Sequence, residues 1–412
     1  MPSNYSLTHE SKVMRDPVHG YIHVHYQVIW DLINAKEFQR LRRIHQLGGT
    51  YQVYHTAEHS RFSHSLGVYE VVRLMIETIE GLKDALSEFE QVALLCAGLL
   101  HDVGHGPYSH AFESVTEVNH ESMTSRIILE DTQINRILRK HDANLPEFVN
   151  SIIDHSADRI LLTQIISSQL DADRMDYLLR DSYFTGVSYG EFDLHRILRT
   201  LKLSQDRLVM KESGIHAVED YIMARYQMYW QVYLHPTSRS FEVILQALFK
   251  RMRECMDEDE SLLDYVAFFK PFLKGGDISL QAHYELDESA CNYGFMTLTK
   301  SKDPILKDLS SRLLNRNLFE YLDFDSHQTI DQVEKQVSQA GYDPKYYCIT
   351  DFMSQVLYTP YEESNGIGME VLTRSGQVLE LSKASDIVRG FVEGNHKEDR
   401  KIFFPREIDY EH

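Results

Sequence analysis

The feature that most constrains this chain is a run of nine apolar residues, Val92-Ala93-Leu94-Leu95-Cys96-Ala97-Gly98-Leu99-Leu100, that ends directly on His101-Asp102. A helix that is apolar on every side belongs in a protein interior. Its buried end leaves backbone groups in need of polar partners. An imidazole and a carboxylate side by side at that end, released from strict helical spacing where Gly104 stops the helix, point to a cation. Three histidines, His101, His105 and His110, fall within ten residues here. Gly104 and Gly106 permit a tight turn, and Pro107 suits the first position of a new helix. His110 is then expected one turn into that helix, with Glu113 three residues further on.

The rest of the chain can bury such a helix. Its 412 residues, 43% apolar and 25% charged, describe an ordinary globular protein of two or three domains. The formal charge of −20 speaks against nonspecific binding to duplex nucleic acid and against adhesion to anionic lipid. A bound cation would offset part of it. Residues 1–12 lack the apolar core of a signal peptide and no run approaches a membrane span, so a cytoplasmic protein is expected. Cys96, Cys255, Cys291 and Cys348 show no zinc-like pairing and read as reduced, mostly buried thiols. Most of the 21 histidines, His141, His195 and His412 among them, read as surface side chains without a task.

Taken in order, Arg15-Asp16-Pro17-Val18-His19-Gly20-Tyr21-Ile22-His23-Val24 reads as a turn followed by a short strand or extended arm. Helical spacing runs from Val28 to Arg43 with a break near Glu37, closed by Gln46-Leu47-Gly48-Gly49. His59-Ser60-Arg61-Phe62-Ser63-His64-Ser65-Leu66-Gly67-Val68 leads into an amphipathic helix reaching about Ile79, with Arg61 and His64 on one face. Further helices are expected from His120 to about Glu130, over residues 147–155 and over 161–166. In Leu170-Asp171-Ala172-Asp173-Arg174-Met175-Asp176-Tyr177-Leu178-Leu179-Arg180-Asp181, the residues Asp173, Tyr177 and Asp181 form one i, i+4 stripe. A polar stripe is usually a solvated face, but this one sits among apolar residues. An aromatic helix over residues 217–249, interrupted near Pro236, carries Arg225, Tyr229 and Tyr233 at the same spacing, which suits core, subunit interface or ligand contact. Beyond Met256, Asp257-Glu258-Asp259-Glu260 reads as an exposed loop. Strand-like segments follow at 294–299, 346–350, 369–372 and 402–404, with polar loops at Ser364-Asn365-Gly366 and 390–400.

Collected, His64, His101, Asp102 and Asp173 offer two nitrogen and two carboxylate donors, a set that suits Mn, Mg, Fe, Ni or Zn. An octahedral ion held by them keeps positions open for water and substrate oxygens, which means catalysis rather than a structural clamp. Arg61, Arg174 and Arg225 can bind an anion, and His105, His110 and His120 can move protons. A cation, arginines and activated water are what phosphate-ester hydrolysis requires. No glycine-rich phosphate loop with its lysine is present, which speaks against a P-loop nucleotidase.

With these motifs in view, the sequence resembles the HD-domain phosphohydrolases, in particular their deoxynucleoside triphosphate triphosphohydrolase branch, over roughly residues 12–250. The likeness is carried by Asp16-Pro17-Val18-His19-Gly20, Gln39-Arg40-Leu41-Arg42, the 59–68 motif, His101 to His110 and Asp171 to Asp181. The resemblance implies an all-helical core, so a mainly α protein is expected, with the catalytic core and N-terminal arm in residues 1–255 and, from the change of texture after Met256, a smaller mixed α/β region in 256–412. It implies a divalent metal on His64, His101, Asp102 and Asp173, and a homo-oligomer, often a dimer of dimers. It further implies that Arg61, Arg174, Tyr177 and Arg225 contact a triphosphate. Gln46 and Asp181 would meet the sugar 3′-hydroxyl, and Leu47 and Tyr233 would pack under the sugar. His110, Glu113 and His120, beside His105, would serve proton transfer. Arg174 stands where animal members have lysine, and Tyr229 where they have histidine.

The reaction so implied is hydrolysis of a dNTP at the α-phosphorus to deoxynucleoside and tripolyphosphate, with His110 protonating the departing 5′-oxygen. Lys12, Val13, Gln39 and Arg42 match positions that bind an activating guanine nucleotide, dGTP or GTP, between subunits in animal members. Asn34 falls where those have an aspartate that reads the guanine edge. Two other readings stay open: hydrolysis of another nucleotide, such as a monophosphate or an alarmone, and a nucleotide-sensing module with little catalysis.

Overall fold

The computed structural model describes residues 5–116, 118–354, 368–393 and 398–409, and of Ser11, His110 and Ser354 only the backbone. Among the described residues there are 22 α-helices and nine strands, the strands gathered into three small sheets. No helix among them is long and apolar enough to cross a membrane.

The apolar run is the second half of the helix Glu88–Leu100, whose residues from Val92 to Leu100 are all buried. Ser87 and Glu90 start it with a reciprocal capping box, and His101 is its C-cap. The helices Arg61–Thr78, Leu145–Ile153 and Ile160–Ile166 pack around it. Each buried Leu or Val adds about 1.5–3 kcal/mol of hydrophobic stabilisation. The helix Ala172–Thr185 crosses Arg61–Thr78 at close range. Gly67 makes that approach possible, since a Cβ there would lie 1.9 Å from Asp176 Oδ1.

The expected N-terminal arm is a two-stranded antiparallel ribbon, Leu7–Asp16 with Gly20–Tyr26. Asp16 Oδ1 closes its turn by accepting from the backbone N–H groups of Val18 and His19, both at 2.9 Å. The following helical stretch breaks between Gln27–Ile33 and Lys36–Arg40, earlier than Glu37. Asn34 caps the first of these helices by donating its Nδ2 to Trp30 O at 2.7 Å.

A second core gathers about the helix Pro236–Glu258, with the helices Glu288–Leu298 and Pro304–Leu314 and a sheet of Glu320–Asp323, Glu398–Phe404 and Ile349–Ser354. Here several sequence expectations need correction. Residues 294–299, read as a strand, fall mostly in the helix Glu288–Leu298. Asp287 Oδ1 caps that helix by accepting from Ala290 N at 3.0 Å, and Phe295 and Leu298, three residues apart, are both buried. Residues 346–350 begin as the end of the helix Pro344–Tyr347 and only then enter a strand. Asp257 and Glu258 close a helix instead of opening a loop. Residues 390–393 end the helix Asp386–Glu393 and residues 398–400 begin a strand. Residues 394–397 and the Ser364-Asn365-Gly366 loop lie outside the described residues, as does His412. The strands at 369–372 and 402–404 stand as Glu370–Leu372 and Glu398–Phe404. A hairpin of Leu201–Ser204 and Arg207–Lys211, too short to show a pattern in sequence, receives Glu370–Leu372 as a parallel neighbour.

Candidate active site

The helix Arg61–Thr78 carries His64, the end of Glu88–Leu100 carries His101, and the first turn of Ala172–Thr185 carries Asp173. One ligand atom from each lies within 4.8 Å of the others. The tautomers of both imidazoles are fixed from behind. His101 Nδ1 lies 2.9 Å from Gly98 O, which can only accept, so its Nε2 presents a lone pair. His64 Nδ1 donates to Asp176 Oδ2 at 2.8 Å, which turns its Nε2 lone pair the same way. Those two nitrogens lie 3.6 and 3.1 Å from Asp173 Oδ1, and His101 Nε2 is buried without a hydrogen-bond partner. Lone pairs facing a carboxylate repel unless a cation or proton sits between them. Burial opposes charge on His64, yet hydrogen bonds to Asp173 and Asp176 outweigh it and push the imidazole up to about 10. His101 is raised against its own burial by Asp102 and Asp173. Two imidazole nitrogens and a carboxylate facing one point form a donor set that fits a divalent ion.

Asp102 stands beside the trio. Its Oδ2 pairs with Arg61 and lies 3.7 Å from His64 Nε2, while Oδ1 lies 3.4 Å from His101 Nε2 and 3.3 Å from His105 Nε2. Burial would raise its carboxyl, but Arg61 and the histidines hold it well below the usual range. Arg61 also donates to Ser109 Oγ, at 3.1 Å from Nε and 2.6 Å from Nη2. His105 is driven well below the usual imidazole value by burial and then by Arg61, so it is neutral. Its ring stacks on His120 at 3.9 Å. Glu113 Oε1 accepts from both the backbone N–H and Nδ1 of His120, each at 2.7 Å. The helix here begins at His110, three residues later than Pro107 suggests. Tyr108 and Ser109 intervene with φ of 55° and 51°, a left-handed pair that breaks the helix. The imidazole of His110 lies outside the described residues.

These groups open onto a cavity of about 620 Å³ whose walls also include Gln46, Leu47, Tyr177, Asp181, Arg225, Tyr229 and Tyr233. An aromatic wall leads away from the cluster, with ring centroids 6.5 Å apart from His64 to Tyr177, 6.2 Å from Tyr177 to Tyr233 and 6.4 Å from Tyr233 to Tyr229. A π-helical turn, Tyr229–Tyr233, widens the helix where the last two project. Tyr233 donates its hydroxyl to Asp181 Oδ2 at 2.8 Å, and His59 Nε2 holds Asp181 Oδ1 at 2.8 Å. Gln46 Oε1 is buried without a partner. Arg225 donates to the neutral Gln169 Oε1 at 3.1 Å, which leaves its charge to the cavity. Arg174 does not line the cavity; its Nη1 donates to the fully buried Asp171 at 2.9 Å. Glu242 lines the cavity as well, its carboxyl pushed up to about 7 by burial and by Asp351 against the pull of Arg239.

The residues singled out for a regulatory nucleotide lie outside this cavity. Lys12 pairs with Glu10 at 3.3 Å and lies 5.5 Å over the Trp30 ring, while Val13 beside it is exposed. Asn34 is bonded to the carbonyl of that same Trp30. Gln39 donates to Ile33 O at 2.6 Å and accepts from Arg42 Nε at 2.8 Å. Arg42 lies 3.6 Å over Phe62.

Sequence reasoning missed the support behind His64. Asp176, fully buried, holds His64, accepts from Arg180 Nε and Nη2 at 2.9 Å, and meets His19 Nε2 at 2.6 Å. Asp16 Oδ2 completes the network at 2.8 Å from Arg180 Nη1. The signal was present in Asp16-Pro17-Val18-His19, a polar motif with no evident partner. His59, the clamp on Asp181, was likewise quoted in a motif without a task.

The HD-domain pattern matches residues 61–181, and the pattern of the HD associated region matches residues 192–402. The Bacillus subtilis protein YwfO, itself uncharacterized, is 45% identical over 97% of this chain and 93% of its own length. The chain belongs to the HD-domain phosphohydrolases. In this family it is similar to a phosphohydrolase of known structure from Bacteroides thetaiotaomicron, with a TM-score of 0.84 at 28% identity, over 96% of this chain and 100% of that one. It is also 29% identical to the Dictyostelium discoideum deoxynucleoside triphosphate triphosphohydrolase SAMHD1 homolog, over 78% of this chain and 62% of that protein.

Proposed function

We propose that this HD-domain protein hydrolyses dNTPs at the α-phosphorus, releasing deoxynucleoside and tripolyphosphate, with a divalent ion held by His64, His101, Asp102 and Asp173. The observation that carries the reading is a cavity lined by Asp102, Asp173, Arg61, Arg225, Gln46 and Asp181, with His64 and His101 within ligand distance of Asp173. A divalent cation there supplies charge for the phosphoryl oxygens and makes water acidic enough to serve as nucleophile. Arg61 and Arg225, with Tyr177 between the cluster and the sugar wall, bind and orient the triphosphate. Gln46, whose Oε1 is buried without a partner, and the carboxylate of Asp181 meet the 3′-hydroxyl, which gives its one proton to one of them. Tyr233 gives its proton to Asp181 and Leu47 has no polar side-chain atom, so neither donates to a 2′-hydroxyl, and their packing under the sugar disfavours a ribonucleotide. His120, oriented by Glu113 and stacked on neutral His105, stands ready to hold or pass a proton, and His110 is assigned the proton for the 5′-oxygen from its place in the sequence. Arg174 reaches the triphosphate only if it leaves Asp171. The dNTP triphosphohydrolase among its relatives supports the same substrate class.

Lys12, Val13, Asn34, Gln39 and Arg42 extend the reading to a guanine-nucleotide site between subunits of a homo-oligomer. In that reading Arg42, bonded to the neutral Gln39, and Lys12, paired at the surface with Glu10, would turn to the triphosphate. The test incubates each dNTP with Mn, Mg, Fe, Ni or Zn, separates the products, and repeats the assay with dGTP or GTP for wild type and Arg42→Ala while following mass in solution. Tripolyphosphate and deoxynucleoside are expected. Stepwise orthophosphate, or cleavage of monophosphates or alarmones alone, would overturn the substrate, and no hydrolysis at all would leave a nucleotide sensor. Full activity on single dNTPs with no change in mass would remove the activator.

A further inference from the structure

The segment Leu286-Asp287-Glu288 of the HD associated region lies beyond Glu242, the last residue in sequence to line the cavity, and it grips two loops, at His45 and at Tyr108, whose neighbours line that cavity. Glu288 is 3% exposed and accepts through Oε1 from two backbone N–H groups, His45 at 3.0 Å and Tyr108 at 3.2 Å. Its Oε2 forms an ion pair with His45 Nδ1. Residue 45 immediately precedes Gln46 and Leu47, and residue 108 immediately precedes Ser109, the hydroxyl that holds Arg61.

The contacts on either side reinforce this grip. Arg40, 2% exposed, donates to Leu286 O at 2.7 Å and to His105 O at 2.8 Å. Tyr108 donates its hydroxyl to Asn292 Oδ1 at 3.1 Å. The left-handed pair Tyr108-Ser109 is costly for residues with a Cβ and persists only where its surroundings over-determine it. Glu288 and Asn292 are those surroundings.

We propose that Glu288 is a positioning residue for the phosphohydrolase site, fixing the sugar-side loop and the Ser109–Arg61 loop to one carboxylate so that the HD associated region completes the active site. A misplacement of about 1 Å in such groups costs about 100-fold in rate. The proposal rests on the reading of the cavity as the dNTP site.

The test is hydrogen exchange of the full chain combined with dNTP kinetics and metal analysis. In Glu288→Ala, the amides of His45 and Tyr108 should exchange faster and kcat/KM should fall about 10–100-fold, with bound metal retained. Glu288→Gln keeps an oxygen for both N–H groups and should restore slow exchange and most of the activity. Asp303→Ala, which uncaps the helix Pro304–Leu314 and releases Arg251 in the same region, controls for lost stability and should leave exchange at both amides and kcat/KM unchanged below its melting temperature. Should Glu288→Ala fail to fold, Asn292→Ala must speed exchange at Tyr108 and not at His45. Unchanged exchange in Glu288→Ala, no rescue by Gln, or equal effects from Asp303→Ala would overturn the proposal. A wild type that hydrolyses no dNTP would sink the substrate reading, and exchange would still decide the clamp.

Discussion

The wall of the cavity built by Arg61–Thr78 and Ala172–Thr185 is held from behind by charge, whereas the wall built around Tyr108, Ser109 and His120 takes its shape from a left-handed turn and from a carboxylate 180 positions after Tyr108. On the first wall, Asp176 ties His64 to Arg180 and His19 and, through Arg180, to Asp16 in a largely buried network. On the second, His105 and His120 stack, Glu113 orients His120, and Tyr108 is pinned to Glu288. Gly104 lets this wall fit closely, since a Cβ there would lie 2.3 Å from His120 O. The difference separates two tasks. The first wall fixes ligand geometry through charges drawn from its own helices and from the turn of the N-terminal ribbon, and the second sets the proton groups with help from a carboxylate much later in the chain.

If that separation holds, the largest effects come from the ligands. His101→Ala and Asp173→Ala should lose both bound metal and activity while circular dichroism shows helicity retained; full metal by elemental analysis in both variants would break the comparison at its root. On the other wall, His120→Ala and His110→Ala should each cost about 10²–10⁴ in kcat with metal content unchanged. Loss of metal there would mean that the walls are one unit.

Asp176→Asn keeps a neutral hydrogen bond to His64 but removes the charge at the centre of the network. Metal affinity, measured by competition with a chelator, should fall about 10–100-fold. Chemical denaturation should show a loss approaching about 3–5 kcal/mol, the scale for a broken buried ion pair. Unaltered affinity would show that the network serves folding alone.

How far the sequence could be read follows the same division. Local signals were legible: the apolar run ending on His101-Asp102, the shared face of Arg61 and His64, and the stripe of Asp173, Tyr177 and Asp181, whose polar side chains line one cavity or belong to the candidate ligand group of His64, His101 and Asp173. Interactions between distant segments were not. His19 and Asp176 are 157 residues apart, and nothing in either neighbourhood names the other. Asp287-Glu288 reads as an ordinary helix cap, which Asp287 is, and burial of the next carboxylate against two loops has no local signature. Residues 294–299 misled because Gly and Thr dilute a helical face that only tertiary packing against Phe269 makes evident.

Smaller effects sharpen the picture of the cavity. Leu47→Ala should reduce the preference for dGTP over GTP by about tenfold in kcat/KM, the scale of a few apolar contacts. Lower stability with an unchanged ratio would make Leu47 plain core. Glu242 should show its burial through pH. Its carboxyl is raised from an ordinary 4.5 to about 7 in the folded chain, so its contribution to stability is full below pH 4.5 and is lost as pH rises through 7. Glu242→Gln removes that loss, and its unfolding free energy should gain on wild type between pH 5 and pH 8 by on the order of 1 kcal/mol after screening by cavity water, read by chemical denaturation at each pH. A gap independent of pH would refute the assignment.

The central claim, that two fixed lone pairs and Asp173 await a cation, is tested most directly by anomalous diffraction from crystals of the full chain grown with Mn²⁺. A single peak per chain, about 2.0–2.3 Å from His64 Nε2, His101 Nε2 and a carboxylate oxygen of Asp173, with Asp102 in reach, is the expected result. A saturated crystal with no peak between those atoms, or with its peak elsewhere in the chain, would contradict it.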